Sequence, residues 1–428
     1  MSPLPFDAVV MLTWSDWRAE MRSNRYHYAS RFARHCPVIF VQPDQFRFRC
    51  RYESTELPGV TILHASRLYG RRQAVAIAAA LAERGVVRPL LWIYNHQYAD
   101  LIYGLSSVLT VYHATEDYFY DDFYPFVRRH ELQDILNRCN LLVAVSVGVQ
   151  RDYLVRGQFT GASCVLNNGC DFAFWKDVAP RRLAYAATSP GHVALFQGGI
   201  NSRLDFSLLR RVAERLSDWT FAFCGPDNTW IDGSSAGWRS LRELRNVQNW
   251  GVLSPEELKE AMCRSTVGII PFTAHPVLTE VSRPLKAFEY LACGLPVVSV
   301  PIAGLRSYGD LFRLASTPEQ FADQLVAAGL EAFEPEQVQR RVEAARKEDY
   351  DKRFEELLTT LSPLLSAGSS KQDHSTAPAF ALDGQPQAAA ATSWIQRMPE
   401  FLLAGIDLLP SGFQRFLVKI RTFLPRRR

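Results

Sequence analysis

The chain has 428 residues, 47% hydrophobic and 21% charged, which excludes a disordered protein and supplies material for two or three cored domains. Its net charge of +4 is uneven, because residues 394–428 hold seven basic and two acidic side chains and the remainder holds 41 and 42. A neutral body with a basic tail argues against a general nucleic-acid binder, and eight scattered cysteines without a Cys-x-x-Cys pair argue against a zinc site or disulfide framework. The first sixteen residues lack the pattern of a signal peptide, and no run of eighteen uncharged apolar residues occurs, so a cytoplasmic protein is expected.

Residues 8–12 and 38–41 read as buried strands with a polar loop and a short helix between them. Ligands of such a doubly wound unit gather at the carboxyl ends of its strands, which makes Arg22, Asn24 and Arg25 candidate acceptor contacts. No Gly-x-Gly pair occurs, so a dinucleotide fingerprint and a Walker loop are both absent. Residues 74–82 suit a helix, and 90–94 and 108–112 suit strands. The second of these runs into His113-Ala-Thr-Glu116-Asp117-Tyr-Phe-Tyr-Asp121-Asp122. A histidine and carboxylates at a strand's end can bind acceptor hydroxyls or hold a sugar, so His113 and Asp117 are candidates for orienting the reacting groups and Glu116 for acceptor contact. A strand at 141–146, a helix at 147–155 and a turn at Asn168-Gly169 follow.

A second series begins with a strand at 193–197 and the loop Gly198-Gly199-Ile-Asn-Ser-Arg203-Leu-Asp205, leading into a helix at 206–216. Gly198 and Gly199 let the backbone approach a diphosphate, and Arg203 supplies a cation. Strands at 219–225, 247–250 and 267–271 follow, and Ser254-Pro-Glu-Glu257 forms a capping box. Pro284 then opens a helix with Leu285, Phe288, Leu291 and Ala292 on one face, ended by Gly294 before a strand at 295–300. Lys286 and Glu289, three apart near its N-terminus, suit a phosphate and a ribose diol. Residues 318–330 and 335–365 are helical by period, and Asp349-Tyr350-Asp351 reads as a solvated face of the latter. A linker composition spans 366–393. Beyond it, Phe413, Phe416, Leu417, Ile420, Phe423 and Leu424 share a helical face among basic residues, a pattern suited to an anionic membrane surface.

The run from His275 to Val300, with Pro284-Leu-Lys-Ala-Phe-Glu-Tyr-Leu-Ala-Cys-Gly-Leu-Pro-Val-Val298 at its heart, resembles the donor-nucleotide motif of retaining GT-B glycosyltransferases, in particular the bacterial surface-polysaccharide subgroup. Val165-Leu-Asn-Asn-Gly-Cys-Asp171 resembles the interdomain segment of the same family. The resemblance implies an α/β chain of two Rossmann-like doubly wound domains facing across a cleft. Residues 1–178 form the acceptor domain, 179–365 the nucleotide-sugar domain, 366–393 a flexible linker and 394–428 a basic amphipathic tail. It also implies a glycosyltransferase, with retention of configuration, moving a sugar from a nucleotide diphosphate to a saccharide or lipid-linked saccharide in surface-polysaccharide assembly. The loop from His113 to Asp122 then faces the cleft. Arg203 and Lys286 bind the diphosphate, Glu289 the ribose, and Ser282 or Arg283 the phosphate or sugar. Neither a metal nor a separate cofactor is expected, and the partners are the nucleotide sugar, the acceptor and an anionic membrane face, with no nucleic acid. One departure stands out: the family's second glutamate, eight positions before Glu289, is Val281, with Glu280 one place off. A nucleotide-sugar epimerase of the same fold and a non-catalytic scaffold of an assembly complex are the alternative readings.

Overall fold

The computed structural model describes residues 5–19, 22–44, 47–66, 68, 70–186 and 191–368. Most of the expected linker and all of the expected tail lie outside them. Two sheets organise the chain. The first has eight strands: β1 (Val9–Leu12), β2 (Val38–Pro43), β3 (Arg51–Ser54), β4 (Val60–Ala65), β5 (Leu90–Ile93), β6 (Leu109–Ala114), β7 (Leu141–Ala144) and β8 (Ala162–Val165). Their order is β3-β4-β2-β1-β5-β6-β7-β8, parallel throughout except where β3 runs against β4. The second has β9 (His192–Gln197), β10 (Trp219–Cys224), β11 (Val247–Gly251), β12 (Val267–Ile270), β13 (Val297–Ser299) and β14 (Phe312–Leu314), ordered β11-β10-β9-β12-β13-β14. That order reverses direction between β9 and β12, the place where open α/β sheets leave a crevice for ligand. The first sheet reverses between β1 and β5.

Central strands such as Val9–Leu12, Leu90–Ile93 and Val267–Ile270 are buried along their whole length. Helices cover both faces of a parallel sheet, so these strands read as continuous apolar runs. Strands β3, β4, β8 and β14 were not expected from the sequence. The helix expected over 335–365 is two helices, Pro335–Lys347 and Tyr350–Gly368, broken at Glu348 and Asp349. The break lets Cys170 and Asp349 pair as a short parallel bridge. It also sends the last helix back to the first lobe, where Tyr350, Phe354, Leu357, Leu361 and Leu365 pack with Tyr28, Phe32 and Trp92. Asp349 and Asp351 are therefore not a solvated face: Arg31 reaches them at 3.6 and 2.8 Å from the first lobe. Among the described residues no helix is long and apolar enough to cross a membrane.

Candidate active site

Between the lobes lies a cavity of about 280 Å³ lined from the first lobe by Thr115, Glu116, Asp117 and Val149 and from the second by Gly199, Arg203, Phe272, Ser282 and Lys286. A larger groove of about 1290 Å³ runs between Phe172 and the Pro335–Lys347 helix. It holds none of the expected site residues, so the interlobe cavity is the candidate.

The second-lobe wall is built at the reversal of the sheet. Strand β9 delivers Gly198 with φ +122, a conformation open to glycine, and a Cβ there would meet Lys286 Nζ at 2.8 Å. The Leu285–Ala292 helix begins after Pro284, which takes extended backbone and offers its first amides no side-chain cap. Pro284, Leu285 and Lys286 line the cavity, so uncapped helix N–H groups and an ammonium share one mouth, an arrangement suited to an anion. Lys286 Nζ stands 3.9 Å from the Phe196 ring centre and 5.2 Å from that of Phe272. Burial against these rings lowers its pKa to about 7, with Glu289 opposing the shift and Arg203 adding to it. Glu289 is buried behind this mouth, accepting a hydrogen bond from Gln197 Nε2. Burial pushes its carboxyl upward, while Gln197, Arg22 and Lys286 hold it down.

Arg203 does reach the cavity, but its guanidinium pairs across the cleft with Glu116 at 3.2 Å. Glu116 also accepts a hydrogen bond from the Tyr124 hydroxyl. Asp117, 1% exposed, accepts from the Phe119 amide at 3.0 Å. Burial first, then the neighbouring Asp152 carboxyl, pushes Asp117 up, whereas Arg151 and Arg156 help hold Asp152 down. Each carboxyl thus affects the other's ionisation. Asp152 carried no signal in the sequence, because helix Val147–Val155 brings it to Asp117 only in the fold.

Several expected contacts are engaged elsewhere, although Ser282 and Arg283 still line the cavity. His113 is not among the cavity-lining residues. It is fully buried, accepts from Trp92 Nε1 at 3.2 Å and stacks on Tyr94 at 5.0 Å, and burial lowers its pKa to about 3. The strand continues two residues further than the pattern suggested, to Ala114, which keeps His113 inside the sheet's packing. Arg283 has a charge spent at the domain junction: it pairs with Glu348 at 2.9 Å, donates to the Asn168 carbonyl at 2.5 Å and bonds the Tyr308 hydroxyl. The Ser282 hydroxyl donates back to the Leu278 carbonyl. Arg22 pairs with Asp171 and lies 3.3 Å over the Phe174 ring, while Asn24 donates to Asn168 at 2.9 Å and accepts from the Tyr94 hydroxyl at 3.3 Å. Both therefore bind the interdomain segment at 165–171. Arg25 lies 5.0 Å from the Tyr94 ring centre. At the departure from the family pattern, Val281 is buried and its carbonyl accepts from Ser146 at 2.5 Å, while Glu280 is exposed with Arg306 at 4.0 Å. Glu280 thus does not take the missing acid's place at the cavity.

Residues 192–328 match the family model described as glycosyl transferases group 1. TuaH of Bacillus subtilis, a protein assigned to glycosyl transfer in teichuronic acid biosynthesis, is 39% identical over 108 residues. That match covers 25% of this chain, and the chain spans about a quarter of the relative's length (26%). Similar solved structures include sucrose-phosphate synthase from Thermosynechococcus elongatus, with TM-score 0.65, 13% identity and 84% and 99% of the two chains covered. Anabaena HepE in complex with UDP and glucose aligns with TM-score 0.61 and 13% identity over 83% of this chain and 99% of its own. Two facing Rossmann-like lobes and these likenesses agree: the chain has the GT-B fold, and residues 192–328 of its second lobe are similar to the glycosyl transferases group 1 family.

Proposed function

We propose that this protein transfers a sugar from a nucleoside diphosphate donor to a saccharide or lipid-linked saccharide acceptor in surface-polysaccharide assembly. The observation that carries the reading is the pairing of Lys286 with uncapped helix amides beside the permissive Gly198-Gly199 backbone, at the mouth of the interlobe cavity. A diphosphate seated there faces Lys286 and the helix start, and Arg203 joins once it leaves Glu116. This arrangement stabilises negative charge as it develops on the leaving group. Glu289 is the acid assigned to the donor ribose, in a role that Gln197 now occupies from the protein side. The resemblance of the Pro284–Val298 run to retaining GT-B enzymes supports transfer with retention through leaving-group assistance, without a metal. The likeness to HepE bound to UDP and glucose favours a uridine donor, and the basic amphipathic pattern of residues 394–428 favours peripheral attachment at the cytoplasmic membrane face.

Calorimetry with UDP, GDP and ADP tests the donor assignment. The parent should bind at least one of them, and Lys286→Ala should lose binding by about a hundredfold, the scale of removing a charge-assisted contact, with an unchanged melting temperature. Undiminished binding by the variant would remove Lys286 from the diphosphate site.

A further inference from the structure

The lining of the interlobe cavity is of two kinds. Gly199, Arg203 and Lys286 suit a phosphate, whereas Val145 and Val149 of the first lobe and Val277, Leu278 and Val281 of the second bring aliphatic side chains to the same cavity of about 280 Å³. The two lobes meet tightly where these five residues lie. The first-lobe helix Val147–Val155 seats against the tight turn Val277–Val281. A Cβ on Gly148 would meet the Glu280 carbonyl oxygen and Val281 Cα at 3.0 Å, and the Ser146 hydroxyl donates to the Val281 carbonyl at 2.5 Å. The wall therefore has a fixed composition set by both lobes.

The polar groups around this wall are already engaged. In the turn, the Val277 amide donates to His275 Nδ1 at 3.2 Å, and the Leu278 and Thr279 amides donate to the His275 carbonyl at 2.8 and 3.0 Å. The Thr279 hydroxyl donates to that same carbonyl at 3.1 Å, and the Leu278 carbonyl accepts from Ser282. On the first-lobe side the Val145 amide donates to the Ala114 carbonyl at 3.2 Å and the Val149 amide to Ser146 Oγ at 3.1 Å. Glu280, the turn's one charged side chain, is exposed beside Arg306 and does not line the cavity. A hydroxyl or carboxylate set against such a surface loses its water and finds no replacement, whereas a methyl group gains by burial.

We propose that Val145, Val149, Val277, Leu278 and Val281 select the sugar of the donor, taking a hexosyl group that turns a methyl-bearing substituent, an acetamido or a 6-deoxy group, toward the wall. This inference rests on the glycosyl-transfer reading and narrows its donor. The diphosphate held at Lys286 and Arg203 brings the attached sugar into the same cavity, and the aliphatic wall then discriminates between donors that share one nucleotide.

Calorimetry on the full chain tests this with matched donors, each measured relative to its bare nucleoside diphosphate. UDP-N-acetylglucosamine is compared with UDP-glucose and UDP-glucuronate, and GDP-rhamnose with GDP-mannose. In at least one set the methyl-bearing donor should bind about tenfold or more tighter than its counterparts, the scale on which an apolar pocket reads one small group. Val281→Thr keeps the side chain's size and adds a hydroxyl, and should cut that ratio by about fivefold or more. Equal or tighter binding of the hydroxyl and carboxylate donors in both sets, binding of none of the sugar nucleotides, or an unchanged ratio in folded Val281→Thr would overturn the wall. Should Val281→Thr fail to fold, the ratio in the parent decides. Failure of the parent to bind any bare nucleoside diphosphate would instead overturn the donor reading, so the two failures are separable.

Discussion

Lys286 and Asp117 are the two side chains whose protonation the fold has moved furthest toward neutrality while leaving them at the cavity. A bound diphosphate favours the charged ammonium, so binding draws in a proton wherever free Lys286 is neutral. Nucleotide affinity should be flat with pH below about 7 and weaken above it by up to about tenfold per pH unit, a slope that calorimetry in two buffers can read. Asp117 has the opposite consequence for the fold itself. Its folded pKa lies above the unfolded value, so the folded state binds the proton more tightly and stability falls as pH rises between the two. Asp117→Asn keeps an acceptor for Phe119 and a donor toward Asp152 but has no proton to lose. Its melting temperature should exceed the parent's by a margin that grows from pH 5 to pH 8; a constant margin would show that the fold does not raise the Asp117 pKa.

At the scale of elements, the Leu285–Ala292 helix separates residues that the sequence places side by side. Lys286 faces the cavity, whereas Arg283, three residues earlier, turns into the junction and meets Glu348 at the break between the last two helices. The sequence motif is compatible with either direction for Arg283. What decides is the return of the chain at Glu348, some sixty residues later. The Arg283–Glu348 pair is 2% and 10% exposed, and removing one partner of such a pair costs roughly 3–5 kcal/mol. Arg283→Ala should therefore lower stability to urea by that amount, which identifies a structural role distinct from that of Lys286→Ala. The helix itself was legible: its apolar spacing, its proline entry and its stop at Gly294, φ +73, all carry local physical causes. Strand β4 also had a readable pattern in Val60–Ala65, but edge strands β8 and β14 are only four and three residues long. So short a run has too little periodicity to distinguish it from a loop.

Across the whole molecule the lobes are joined by polar contacts that span the cleft. Arg203 meets Glu116 at 3.2 Å and His275 meets Asp122 at 3.0 Å, while Arg31 ties the returning helix to the first lobe through Asp351 at 2.8 Å. At the proposed donor site, Glu116 and a donor diphosphate would compete for Arg203. Both partners of that pair are about one-third exposed, where such pairs contribute ~0.2–1 kcal/mol. Glu116→Gln should accordingly tighten nucleotide binding by up to about fivefold; weaker binding would mean that Glu116 supports the donor site rather than competing with it. The basic segment 394–428 makes a separate prediction: its removal should abolish co-sedimentation with anionic vesicles and leave nucleotide affinity unchanged.

The amino-acid sequence alone determined the alternating strand–helix order, the two doubly wound lobes and the placement of Lys286 and Gly198 at a phosphate-suited helix start. Each follows from local periodicity, capping and backbone freedom, which act within a few residues. It could not decide which polar side chains face the cavity. His113, Arg283 and Asn24 were drawn into packing or junction contacts, while Asp152 and Gln197 gained neighbours from a loop and a helix distant in the chain. Those outcomes depend on partners far apart in the chain, which only the closed arrangement of two lobes and a returning terminal helix brings within reach.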